Sequence, residues 1–201
     1  MLSSIMSRFA SVFYVQIWEN RIKVTDITNN QCFDDSPMVV IQTSDKGKKT
    51  ISGIGKNASQ SLQRNEIAIN PFSHPRVLFN DFYIAEKLLQ HAFRKLSNIG
   101  FWRPKPKVIL HPMEKIEGGL TMIEKRAFRE LALGAGASDI KLYTGSPLNV
   151  SAIDFDKFNQ YEDNEHRISQ QGVANNTAVS SVGLFLFYLT LVIIALWYFR
   201  Q

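Results

Sequence analysis

The chain has 201 residues, 45% of them hydrophobic, with 23 Lys and Arg against 18 Asp and Glu and a single cysteine. One cysteine, Cys32, excludes an intramolecular disulfide and a cysteine-based zinc site, and suits a reducing compartment. Charge is uneven: residues 1–150 hold 20 Lys and Arg against 13 Asp and Glu, whereas 151–181 hold only Lys157 and Arg167 against Asp154, Asp156, Glu162, Asp163 and Glu165. A basic head of this kind fits either attraction to anionic lipid or ordinary solubility. Nucleic acid is disfavoured, because no basic stripe interleaved with aromatics appears.

Leu2, Ile5, Met6, Phe9 and Phe13 fall at helical spacing with Ser3, Ser4, Ser7 and Arg8 between them. Residues 1–13 therefore form either a short amphipathic helix for a membrane interface or a tail leading into the first strand. The opening residues are not expected to act as a secretory signal, since a basic n-region is missing and Arg8 interrupts the apolar stretch. Val12–Ile17 and Arg21–Ile27 read as strands joined by a tight turn at Glu19-Asn20. Met38–Gln42 is a third strand after Asp34-Asp35-Ser36-Pro37, and Thr50–Ile54 another, ended by Gly55-Lys56-Asn57. Gly53-Ile54-Gly55 reads as a turn; a lone GxG is weak evidence for phosphate binding. A short helix at Ala58–Leu62 and a loop at Asn65–Pro75 follow.

Asp81 is placed to cap a helix running to Leu96, with Ala85, Leu88, Leu89, Ala92 and Leu96 as its apolar stripe and His91 on or near the wet side. Pro104 and Pro106 precede a strand at Val108–Leu110. Thr121 stands three residues ahead of Glu124, the spacing of a capping box, and Gly134 and Gly136 end the helix it opens. Asp139–Tyr143 closes a βαβ unit, hence a parallel strand pair. Antiparallel hairpins followed by βαβ give an α/β fold with a mixed sheet. Residues 149–181 lose periodicity and read as a flexible polar linker, with a turn of helix near Phe155–Tyr161.

Val182–Phe199 contains no charge over eighteen residues. At 1.5 Å per residue it is about 27 Å long, close to the roughly 30 Å of a bilayer core. Trp197 and Tyr198 stand at one end, where amphipathic rings favour the headgroup boundary. The segment is expected to be a transmembrane helix at residues 182–199, anchoring a head of residues 14–148. Charge alone does not fix topology, because the flank preceding the run is acidic and Arg200 follows it.

Three stretches resemble the bacterial actin MreB, the rod shape-determining family: DFYIAEKLLQHAFRKL (Asp81–Leu96), FWRPKPKVIL (Phe101–Leu110) and TMIEKRAFRELALGAGASDIKLY (Thr121–Tyr143). Weaker likenesses are SPMVVI, SGIGKNASQSL and the opening MLSSIMSRF. The resemblance is collinear over residues 1 to about 150 and implies an actin-like (ribonuclease H-like) first lobe with a mixed sheet, flanking helices and a small appended subdomain. It also implies a cytoplasmic head at the inner membrane.

Departures from the family pattern weigh against nucleotide chemistry. Where the family carries an acidic phosphate-binding turn after its first strand, this chain has Gln16-Ile17-Trp18-Glu19. Gln16 cannot supply the charge a magnesium ion favours, and Trp18 replaces a glycine that lets backbone approach phosphate. The stretch after the last strand is Gly145-Ser146-Pro147-Leu148-Asn149-Val150, and a short insertion lies around Glu114–Gly119. Glu124 matches the family glutamate that positions water, but the capping box with Thr121 accounts for it without chemistry. The expectation is a nucleotide-free, metal-free adaptor that binds a bacterial actin filament or cell-shape complex, touches membrane lipid and is capable of self-association. Two other readings stand open: an ATP-binding cytoskeletal protein, and an actin-like scaffold of a pilus or secretion platform.

Overall fold

The computed structural model describes residues 10–76, 78, 80–97 and 104–160. The N-terminal segment with Leu2, Ile5, Met6 and Phe9, the polar stretch beyond Gln160, and the apolar run with Trp197 and Tyr198 lie outside the described residues. Among the described residues no helix is long and apolar enough to cross a membrane. The first of the chain's two compact units ends at Asp156.

Five strands form the main sheet: β1 (Val12–Ile17), β2 (Ile22–Asp26), β3 (Gln31–Asp35), β7 (Lys107–Pro112) and β8 (Asp139–Leu142), in the order β3-β2-β1-β7-β8. β1, β2 and β3 are antiparallel neighbours, while β7 runs parallel to both β1 and β8. The expected βαβ unit is thus present, with α3 (Met122–Gly134) between β7 and β8. A second, three-stranded antiparallel sheet is ordered β5-β4-β6, from β4 (Val39–Thr43), β5 (Lys49–Ile54) and β6 (Glu66–Ile69), with the short α1 (Lys56–Gln60) beside it. This is the mixed sheet with a small appended subdomain that the sequence implies.

Alternation along β1 sorts the core. Phe13, Val15 and Ile17 share one face with Val108 and Leu110, and these meet Ile84, Leu88, Leu89 and Phe93 of α2 (Phe82–Leu96) and Phe128 and Leu131 of α3. Phe13 and Phe93 stack edge to face at 5.3 Å. α2 starts where Asp81 accepts a hydrogen bond from the Ile84 N–H at 3.0 Å, the cap foreseen from its sequence. The opposite face of the sheet carries Tyr14, Ile109 and His111, all at most 1% exposed. There the chain after β8 crosses it, through a 3₁₀ turn at Val150–Ala152 to the buried Phe155.

Two strands were not expected. β3 has little β-branched content (Gln-Cys-Phe-Asp-Asp) and forms because the loop before it is closed. Asp26 accepts from the N–H groups of Thr28 and Asn29 and from the Asn29 amide at 2.6 Å, and Asn30 takes φ 54. β6 falls inside the expected loop; pairing of its four residues with β4 makes it a strand. His91, expected near water, is half-buried with its ring 6.0 Å from Phe33, and burial pushes its pKa down.

Candidate functional site

β1 and β7 end flush, Ile17 opposite Pro112, so the turn after β1 lies beside the chain leaving β7. The Trp18 N–H donates to the Arg21 carbonyl at 2.9 Å, closing the tight Glu19-Asn20 turn. Arg21 sits over the Trp18 ring at 5.3 Å and forks onto Asp34 at 2.7 and 2.5 Å. That pairing holds the Asp34 carboxyl below its usual range. Gln16 is buried, and its amide donates to the Met113 sulfur at 3.8 Å.

The chain leaving β7 folds onto this turn. Glu114 Oε2 accepts the Glu19 N–H at 2.7 Å. Lys115, held at φ 57, pairs through Nζ with Glu19 Oε2 at 2.8 Å and donates to the His74 carbonyl at 2.5 Å. Asn70 donates its amide to the Glu19 carbonyl at 2.8 Å. Two segments far from it in sequence, Glu114-Lys115 and Asn70, therefore clamp Glu19. The Glu19 N–H of the turn is taken by the Glu114 carboxylate, and the carboxylate of Glu19 itself is paired with Lys115.

Thr121 and Glu124 form a complete capping box at the start of α3. Glu124 Oε2 accepts from the Thr121 N–H at 2.8 Å and from its hydroxyl at 2.7 Å, while Thr121 Oγ1 accepts the Glu124 N–H at 3.2 Å. Beyond the box, the outward stripe of α3 is apolar at both ends. Met122, Ile123 and Leu133 are 69%, 82% and 44% exposed, and the exposed Arg126 and Glu130 lie between them.

Of the residues singled out in sequence, Gln16, Ile17 and Trp18 lie at this turn, and Thr121 and Glu124 face each other at the next helix. Glu114, Lys115, Asn70 and His74 were not foreseen as a set; the insertion and its Gly118-Gly119 pair were the only sequence signal. Gly53-Ile54-Gly55 is structural. Gly55, at φ 94, caps α1, and a Cβ there would lie 2.1 Å from Asp35 Oδ2. No group of His, Cys, Asp and Glu among the described residues is arranged to hold a metal ion.

The family model for MreB/Mbl protein matches residues 28–153. The chain belongs to the MreB/Mbl family. The cell shape-determining protein MreB of Escherichia coli (strain K12) is 34% identical over 113 residues, covering 54% of this chain and 31% of that protein. This chain thus spans about a third of the length of the MreB relatives it matches. An uncharacterized protein of the same organism, YjaA, is 26% identical over 130 residues, covering 62% of this chain and 76% of YjaA. Among solved structures, MreB5 of Spiroplasma citri bound to AMPPNP superposes with a TM-score of 0.52 at 15% identity, covering 67% of this chain and 38% of that one. The likeness shows the actin-like fold, as a partial MreB homologue.

Proposed function

We propose that this MreB-family chain is a membrane-held adaptor of the cell-shape machinery, which acts by protein contact and does not turn over nucleotide. The observation that carries binding over catalysis is the Glu114 carboxylate on the Glu19 N–H, 2.7 Å away, in the turn that the family resemblance assigns to phosphate. A phosphate needs free N–H donors and positive surroundings. This turn offers a bulky Trp18, a donor already satisfied, and two carboxylates balanced by one lysine. Gln16 brings no negative charge for a magnesium ion. The residues present do not fit a magnesium-bound triphosphate, and phosphoryl transfer depends on such positioning and charge stabilisation.

The outward stripe of α3 supplies the docking face. In an antiparallel pairing of two such helices about the level of residue 128, Arg126 of one faces Glu130 of the other, Ile123 faces Leu133, and Met122 lies opposite Gly134. The stripe is thus complementary to itself, and to the matching helix of a longer relative with a similar sequence. The uncharged run Val182–Phe199 and the amphipathic start give the two attachments that hold such a complex at the inner membrane.

Two measurements test the reading. Titration of the chain with magnesium-ATP, followed by Trp fluorescence and calorimetry, is expected to show no saturable binding up to about 1 mM; micromolar affinity would overturn the nucleotide-free assignment. Co-sedimentation with filaments of its host's own MreB is expected for the unaltered chain and lost in Ile123→Glu. No co-sedimentation, or an Ile123→Glu chain that pellets as well, removes the adaptor role.

A further inference from the structure

On the sheet face away from the helices lies a buried polar chain that the docking function does not use. His111 Nε2 is 2.9 Å from the Gly145 carbonyl, which can only accept, so Nε2 carries the hydrogen and donates. Nδ1 is then the acceptor, and it receives the Tyr14 hydroxyl at 2.6 Å. The Tyr14 oxygen in turn accepts the Leu148 N–H at 3.3 Å. The Tyr143 ring closes over the imidazole edge to face at 4.8 Å. Both ends of the Gly145–Leu148 segment are therefore tied to one neutral imidazole, directly at Gly145 and through Tyr14 at Leu148.

We propose that Gly145–Leu148 is a pH-sensitive strap, latched on the sheet while His111 is neutral and released when His111 takes a proton. The geometry gives the reason. A proton on Nδ1 would point at the Tyr14 hydroxyl 2.6 Å away. The phenol would then either meet that proton donor to donor or turn its own hydrogen away from Nδ1, its oxygen accepting both the new N–H and Leu148 and its hydrogen losing the acceptor it has in the neutral state. Among the described residues no carboxylate acts on the His111 ring to compensate the new charge. From β1 the ring meets Tyr14 and, across the pairing, Gln16. From the segment after β8 it meets Tyr143 and Gly145. Lys23 lies one strand further, opposite Gln16, and Lys107 and Lys141 occupy the far end of the same face. Asp156 is engaged there by Lys107 at 3.1 Å. Burial already pushes the His111 pKa down and that of Tyr14 up. Lifting the strap hydrates the ring, so by linkage protonation favours lifting.

A second clasp limits how far the strap travels. The Lys141 amine donates to the Phe155 carbonyl, and Lys107 and Lys141 stand 5.1 and 4.3 Å from the Phe155 ring centroid. Release at His111 therefore opens the stretch between Tyr143 and Phe155, uncovering Tyr14 and Ile109, while the far end stays pinned. This inference stands independently of the adaptor reading and of any membrane attachment.

Hydrogen exchange on the full 201-residue chain in nonionic detergent tests it. Protection of the Leu148 amide, corrected for intrinsic rates, is expected to fall between pH 7.5 and 5.5 by up to about tenfold, the most one histidine with an open-state pKa of about 6.5 can contribute by pH 5.5, while β1 and β7 amides hold. His111→Gln is expected to abolish this pH response. Tyr14→Phe removes the acceptor of the Leu148 N–H, so protection at Leu148 should already be low at pH 7.5; this variant decides the matter if His111→Gln does not fold. Protection that ignores pH, that falls equally across the whole sheet, or that responds normally in His111→Gln overturns the proposal, as does unchanged Leu148 protection in Tyr14→Phe.

Discussion

Glu124 stands where the family resemblance places a catalytic glutamate, and its contacts are those of a helix cap. The two roles separate cleanly under Thr121→Ala and Glu124→Gln. Thr121→Ala removes the acceptor of the Glu124 N–H and the hydroxyl donated to Glu124 Oε2. Thr121 is exposed and Glu124 only partly buried, so little burial adds to the loss, and an N-cap deletion of this kind costs about 1 kcal/mol. The buried anchors of α3 (Phe128, Leu131 and Ala132) remain, so the helix frays at its first turn without leaving the sheet. For a head of this size that is a fall of roughly 2–4 °C in Tm. Glu124→Gln keeps a carbonyl oxygen for the Thr121 N–H, so its cost should stay under about 0.5 kcal/mol. Because the partners share their bonds, the Thr121→Ala/Glu124→Ala double variant should cost less than the sum of the singles. Urea denaturation followed by far-UV circular dichroism measures all four. A Glu124→Gln variant as unstable as Thr121→Ala, or a strictly additive double variant, would refute the capping account. Measurable ATP turnover that Glu124→Gln abolishes at unchanged stability would give Glu124 a chemical role instead.

Gly55→Ala should destabilise the small subdomain by about 1–3 kcal/mol, because φ 94 disfavours a side chain and the new Cβ would strike Asp35, whose carboxylate accepts the Lys56 N–H at 2.9 Å; limited proteolysis within residues 44–64 reads the loss. Leu88, fully buried between α2 and the sheet, should cost about 2–5 kcal/mol as Leu88→Ala, enough to lose the soluble fold at 37 °C in an expression assay. Stability should decline as pH falls below about 6.5. His111 and His91 both have depressed folded-state pKa values, so the unfolded chain binds their protons first and the full contribution is present only above the ordinary histidine value. The Asp34–Arg21 pair acts only lower, as pH falls through the depressed Asp34 value, below the ordinary 3.8. A midpoint in urea that is flat from pH 7.5 to 5 would contradict this.

Where local pattern and tertiary demand agree, the fold was legible in the residues. β1, β2 and β7 declare themselves by β-branched and aromatic runs, α2 by its apolar stripe and Asp81, and α3 by the Thr121–Glu124 spacing. β3 and β6 lack such a signature, because a turn network around Asp26 and pairing with β4 make them strands. The clamp on Glu19 was out of reach for another reason. Glu114 and Asn70 stand 95 and 51 residues from Glu19, and Lys115 binds a carbonyl 41 residues before it. Only the three-dimensional adjacency of β1 and β7 brings these segments together, and single-chain periodicity carries no trace of that. The departure at Gln16-Ile17-Trp18 was visible as a lost motif; what closed the gap was visible only as an insertion of unknown purpose.

The flush ends of β1 and β7 have a practical corollary. Because the two strands stop at the same level, the chain between Met113 and Leu120 leaves the sheet at its rim, its first residues folded back on Glu19. Gly118 and Gly119, further along, lie in open space, with nothing within 4 Å of where a side chain would begin. A short peptide tag or a fluorophore-bearing cysteine grafted between them would report on the rim at close range while leaving the hydrophobic packing behind it undisturbed.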